Sequence, residues 1–248
     1  MRRRMGLGAR LAALAVVVVA FGAARASAQD GAGAFVLASG VTHDGTLFAG
    51  GETVTIDGTV DGNLFAGGTM VTVNGTVRGD VFAGGTKVVV GPEGVVEGDL
   101  MAGGFSVDVE EDASVAEDVY VGAFQLAFAG AAGGDANLAA QAIDLTGSID
   151  GDAVLEYGDP ESSVQTSNPG MVFWQNQVQM QGVEIDWPSN RAPGLRLADD
   201  AAIGGALSLR GPVEPDVPDD VVEGDTAFEP VVVDASGEVV AAPRTTTD

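Results

Sequence analysis

The sequence predicts an all-β chain wound into a right-handed parallel β-helix of triangular cross-section, with about 17–19 residues per coil. Three observations lead there. A phrase beginning Asp44-Gly45-Thr46-Leu47-Phe48-Ala49-Gly50-Gly51 returns at Asp61, Arg78, Glu97, Ala116, Gly133 and Asp150, in steps of 17, 17, 19, 19, 17 and 17 residues. So short a period is the mark of a solenoid, in which each coil buries its apolar residues against its neighbours. Glycines punctuate the repeat and β-branched residues fill it, as corners and short strands require. Finally, the apolar positions recur around a coil at intervals of 2, 5, 2, 4 and 4. A left-handed hexapeptide helix would place them every six positions, so the intervals favour the right-handed form.

Before the repeat, Arg2, Arg3, Arg4 and Arg10 lead into an apolar stretch from Leu11 to Ala24, and Ala26-Ser27-Ala28 follows. This pattern reads as an export signal over residues 1–28 with cleavage before Gln29. The stretch is short for a bilayer span, so contact with a membrane is expected only through an uncleaved signal. The chain has no cysteine, which excludes disulfides and a lipid-modified anchor. Removing residues 1–28 takes five of the 11 basic residues and none of the 36 acidic ones, leaving six against 36, a net charge of −30. A field of that sign repels nucleic acid and anionic headgroups. The expected location is periplasmic, cell-surface or extracellular.

Residues 29–157 form the predicted β-helix core. One inward column is Leu47, Leu64, Val81, Leu100, Val119, Ala136 and Ala153; two residues on lies Ala49, Ala66, Ala83, Ala102, Val121, Leu138 and Leu155. Large residues in the first column mostly meet small ones in the second, and the last two coils reverse the arrangement, as a shared interior demands. A second pair of columns runs from Val54 and Ile56 to Ile143 and Leu145, and a single column from Val60 to Ile149 closes the turn. Three inward groups give three faces. The 19-residue coils are expected to place their extra residues at a corner such as Gly91-Pro92-Glu93-Gly94.

The cadence Val77-Arg78-Gly79-Asp80-Val81, followed by Ala83-Gly84-Gly85 and Val88-Val89-Val90, resembles the bactofilins, the polymer-forming bacterial cytoskeletal family. The resemblance covers residues 44–157. It implies a right-handed triangular β-helix that assembles end to end into nucleotide-independent filaments. Bactofilins are generally cytoplasmic, so the export signal departs from the family.

After Tyr157 the register fails. Residues 158–194, with Pro160, Pro169, Pro188, Pro193, Trp174 and Trp187, read as an irregular insertion folded over the solenoid. Residues 195–211 read as a final coil or cap, with Leu195, Leu197 and Ile203 on inward columns and Ala206 and Ser208 after them. Residues 212–248 are acidic, rich in proline and expected to be disordered.

Two outward columns are candidate sites. Asn63, Asp80, Asp99, Asp118, Asp135 and Asp152 share one corner position, a ladder whose oxygens could hold Ca²⁺ or another hard cation, or could simply hydrogen-bond the corner. Phe48, Phe65, Phe82, Met101 and Tyr120 form an outward apolar stripe suited to self-association, unless another segment covers it. No other cofactor is expected. Enzymatic readings are weak: His43 is the single histidine and falls at the first coil, and no nucleophile meets a base. A polysaccharide lyase would need a base near its acids, for which the regular coils offer Lys87 and Arg78 alone; glycoside hydrolysis by two ladder carboxylates stays open. The sequence thus points to a non-enzymatic structural or scaffold protein of the cell envelope that self-associates by stacking coils. The rival is a monomeric module binding envelope polysaccharide or divalent cations.

Overall fold

In the computed structural model the described residues are 33–160, 191–233 and 239–241. All of their regular structure is strand. In chain order the strands are β1 (Ala34–Leu37), β2 (Thr42–Asp44), β3 (Leu47–Gly50), β4 (Thr53–Ile56), β5 (Thr59–Asp61), β6 (Leu64–Val73), β7 (Thr76–Val77), β8 (Val81–Val90), β9 (Val95–Val96), β10 (Leu100–Val109), β11 (Ser114–Val115), β12 (Val119–Phe128), β13 (Ala131–Ala132), β14 (Ala136–Leu145), β15 (Ser148–Ile149), β16 (Ala153–Tyr157), β17 (Gly194–Leu197), β18 (Ala202–Ile203), β19 (Leu207–Gly211), β20 (Thr226–Val233) and β21 (Val239–Ala241). Nine coils result, counted on the face that starts at β3 and ends at β20.

The three expected faces hydrogen-bond as two sheets. The first and second faces join into a 13-stranded sheet, and the third face is an eight-stranded sheet of two- and three-residue strands. Every pairing is parallel except that of β20 with β21. Each ten-residue strand turns a corner: in β6, Leu64 and Ala66 are buried, then Val71 and Val73. The odd step from 66 to 71 reverses the alternation, so both halves can face the interior only if the strand bends between them. Glycine makes the bend. A Cβ at Gly68 or Gly85 would sit 2.6 Å from the carbonyl oxygen of the coil before, whereas Gly84 has open space around its missing side chain. Ala123, Ala140 and Tyr157 then take the same column, so this corner opens toward the C-terminal coils.

The inward columns are buried along the rod, from Leu47 and Ala49 to Leu207 and Leu209. The four-residue corner expected at Gly91 is a turn closed by Gly94 N–H donating to Gly91 O at 2.8 Å, and the next coil repeats it with Ala113 N–H donating to Glu110 O at 3.1 Å.

The described solenoid begins at Ala34, inside the expected core, where β1 and β2 supply a second and third face before the first repeated phrase. At the other end β17 is the second face of the coil that β16 began: Leu195 and Leu197 pair with Ile143 and Leu145, and Pro160 packs beside Gly194. The interruption therefore enters and leaves at one corner; residues 161–190, most of the expected insertion, lie outside the described residues. Ile203 holds its column, but the inward residues after it are Leu207 and Leu209, with Ala206 and Ser208 displaced by one position. A one-residue slip exchanges the two faces of a strand.

The segment 212–248, expected to be disordered, supplies two further strands. β20 pairs in parallel with β19, Val222 bridges Ile203, and Val221 is buried. Enough apolar side chains, Val221, Val222 and Phe228 among them, reach the core to order it despite the prolines. Residues 234–238 and 242–248 lie outside the described residues.

Candidate functional site

Three outward features carry the chemistry. The first is the acid ladder. Asn63 Oδ1 accepts the backbone N–H of Asp80 at 3.0 Å; Asp80, Asp99, Asp118 and Asp135 Oδ1 then accept those of Asp99, Asp118, Asp135 and Asp152 at 3.1, 3.0, 2.8 and 2.9 Å. Asp152 Oδ1 accepts from Ala206 at 2.8 Å. Each side chain thus ties its own coil to the next. Glycine precedes each of these aspartates except Asp118, which follows Glu117, and where it stands it leaves room for the bond: a Cβ at Gly98 or Gly134 would lie 2.5 or 2.4 Å from the accepting oxygen. One oxygen of each carboxylate accepts a backbone N–H, and among the described residues no three His, Asp or Glu side chains converge closely enough to hold a metal ion. These backbone bonds are what the corner reading requires of the column.

The second feature is the aromatic stripe. Phe48, Phe65 and Phe82 stack face to face, with centroids 4.9 and 4.6 Å apart and planes within 12° and 2°. Coil spacing sets that distance, because residues in one column repeat at the interval between paired strands. Met101 and Tyr120 continue the column. Phe48 is 54% exposed; Phe65, Phe82, Met101 and Tyr120 are half-buried. Phe65, the middle ring, uses both faces on its neighbours, so it offers an edge to a ligand and not the flat platform on which a sugar ring stacks. Tyr120 Oη donates to Asp118 Oδ2 at 3.1 Å, and burial, then that bond, push its pKa up to about 12.

The third feature was not anticipated. On the outer side of the second face, Arg191 reaches Asp144 and Asp108, Arg196 reaches Asp144, and Lys87 stands 3.9 Å from Asp108. Beneath them Ser106 and Gln125 are buried although their positions face outward. Gln125 Nε2 donates to Ser106 Oγ at 3.2 Å, and Gln125 Oε1 accepts the Arg191 backbone N–H at 3.0 Å. This clamp fixes the returning chain to the solenoid just before β17. A second stack, Phe105 on Phe124 with centroids 4.9 Å apart, stands at the adjoining corner. The sequence signal was the cations themselves: Lys87, Arg191 and Arg196 are three of the six that lie beyond residue 28. Repeat alignment missed it because two of the three lie beyond the aligned coils.

The other described cations are also paired, Arg78 with Asp61 at 3.3 Å and Arg210 with Glu229 at 3.1 Å. His43 pairs with Val60 in the β2–β5 ladder, at the N-terminal end, with Nε2 3.4 Å from the Thr46 carbonyl. Fold and surface define a parallel β-solenoid whose side chains mainly bind one coil to the next. No protein-family model, curated protein or solved structure matches the chain.

Proposed function

We propose that this chain is an exported structural protein of the cell envelope, without enzymatic activity, whose solenoid assembles end to end. The observation that carries this reading is the N-terminal end. Among the described residues nothing pairs with the outer edges of β1, β2 or β3, so a full turn of backbone N–H and C=O groups is left for another strand edge. Val36, Val41 and Phe48, exposed by 60, 47 and 54%, lie on or between these strands. Export rests on the leader-like residues 1–28, which lie outside the described residues. The bactofilin resemblance agrees with assembly by coil stacking and remains a resemblance.

A monomeric module for polysaccharide or divalent cations has less support, since both faces of the middle ring, Phe65, are occupied and one oxygen of each ladder side chain already accepts a backbone bond. An enzyme has less still, because each described cation already faces a carboxylate. Negative-stain microscopy over a range of concentrations tests the reading. Nine coils at about 4.8 Å make a rod on the order of 40 Å long, and longer particles are expected. Uniform single rods at every concentration would sink it.

A further inference from the structure

We propose that the N-terminal end associates with a second copy of this chain, head to head about a two-fold axis, and that assembly stops at two. This rests on the end-to-end reading and adds its polarity and its limit. The end of a solenoid is a helical ramp. β1, β2 and β3 are the first strands of the second, third and first faces in chain order, so each starts about one third of a coil further along the axis than the last.

A second copy turned about an axis perpendicular to the rod can set its β3 against β1, its β2 against β2 and its β1 against β3. The height lost at one face is regained at the facing one, so the gap is the same on all three. Facing strands then run antiparallel and can form a regular ladder. Lengths agree: β1 and β3 have four residues each, and the three-residue β2 faces its own copy. Such a contact is isologous, and every copy already carries both halves of it.

The side chains at this end suit it. Phe35 and His43 hold inward positions opposite Val54 and Val60, yet both are only half-buried, because no coil lies above them. Two such mouths facing each other would join the cores into one. Phe48 ends the ring stack with its outer face uncovered by any described residue.

Among the described residues the C-terminal end has no matching ramp. Its last second-face strand is β17; the following coil crosses residues 212–217 without a strand, and Tyr157 Oη donates there to Val213 O at 2.8 Å. β20 then runs on into the antiparallel ladder with β21, and Pro230 within it has no N–H to donate. Among the described residues head-to-tail growth lacks a partner surface, and head-to-head pairing consumes the open one.

The test uses the complete sequence expressed in a host that processes its leader, with mass from sedimentation and shape from microscopy. Twice the chain mass and rods about 80–90 Å long are expected. Val36→Lys and Phe48→Lys should each weaken the pair at least about tenfold, while Val213→Lys, an exposed valine at the far end, should leave it unchanged. Lysine lowers the net repulsion of a chain that carries −30 once residues 1–28 are removed, so a loss cannot come from overall charge. Filaments, or dimers indifferent to Val36→Lys and Phe48→Lys, would overturn the head-to-head pair and leave end-to-end assembly standing. Monomers throughout would overturn both.

Discussion

At the scale of single residues, the ladder aspartates act through an oxygen atom more than through a charge. Asn63 opens the column and accepts from Asp80 N–H at 3.0 Å, within the range spanned by the carboxylates that follow. This makes the cation reading separable from the corner reading at Asp99. Asp99→Asn keeps the acceptor for the Asp118 N–H, whereas Asp99→Ala strands that half-buried donor. The alanine variant should lose about 1–3 kcal/mol in denaturant unfolding and the asparagine variant little. Equal losses would mean that the negative charge is needed, and with it a bound cation. Glycine obeys a similar local logic: Gly85 is pressed against the preceding coil while its neighbour Gly84 is not, a distinction that the repeated Ala-Gly-Gly hides.

At the scale of strands and coils, what was legible in the sequence followed from the period. Wherever inward residues recur every 17 or 19 positions, as from Leu64 to Val121, composition fixes which side faces the core. The period could not reveal that β17 completes a coil begun before the interruption, because that pairing joins Leu195 to Ile143 across 52 positions. Nor could it reveal the clamp, whose partners Asp108 and Arg191 are 83 residues apart. Order in the tail was missed because prolines and acids masked the few apolar residues that dock. Tyr157 marks that change of regime: it fills a column held by glycine in earlier coils, and it is buried with its hydroxyl on Val213. Burial, then the nearby Glu214, push its pKa up to about 12, and the other tyrosine in the chain, Tyr120, is raised to about 12 as well. The raised values mean that the folded chain keeps phenolic protons which the unfolded chain releases near pH 10. The associated stability is therefore complete below pH 10 and is lost between pH 10 and about 12. Phenolate absorbance should stay flat through pH 10 in the folded protein and rise there in denaturant. A folded-state rise centred at 10 would contradict the burial of Tyr157 and the half-buried, Asp118-bonded setting of Tyr120.

At the scale of the whole molecule, charge and dimensionality act together. The chain carries 36 acidic residues against 11 basic ones, and a rod cannot move its like charges apart as a sphere does, because one residue type recurs in each column every coil. Salt therefore has two opposing effects. It weakens the ion pairs of Arg78, Lys87, Arg191, Arg196 and Arg210, and it screens the repulsion among the unpaired carboxylates. The pairs are few and partly exposed, and such pairs contribute about 0–1 kcal/mol each. The unpaired acids far outnumber them and lie within a Debye length of one another along the rod. Screening should win. Raising sodium chloride from about 0.01 M, where the Debye length is about 30 Å, to about 1 M, where it is about 3 Å, should raise the thermal midpoint by several degrees. Arg191→Met in the same titration should show a larger rise, since it removes the clamp that salt weakens and leaves Asp108 and Asp144 with less compensation. A midpoint that falls with salt would mean that the ion pairs of these five cations, and not the acidic surface, set the stability of the rod.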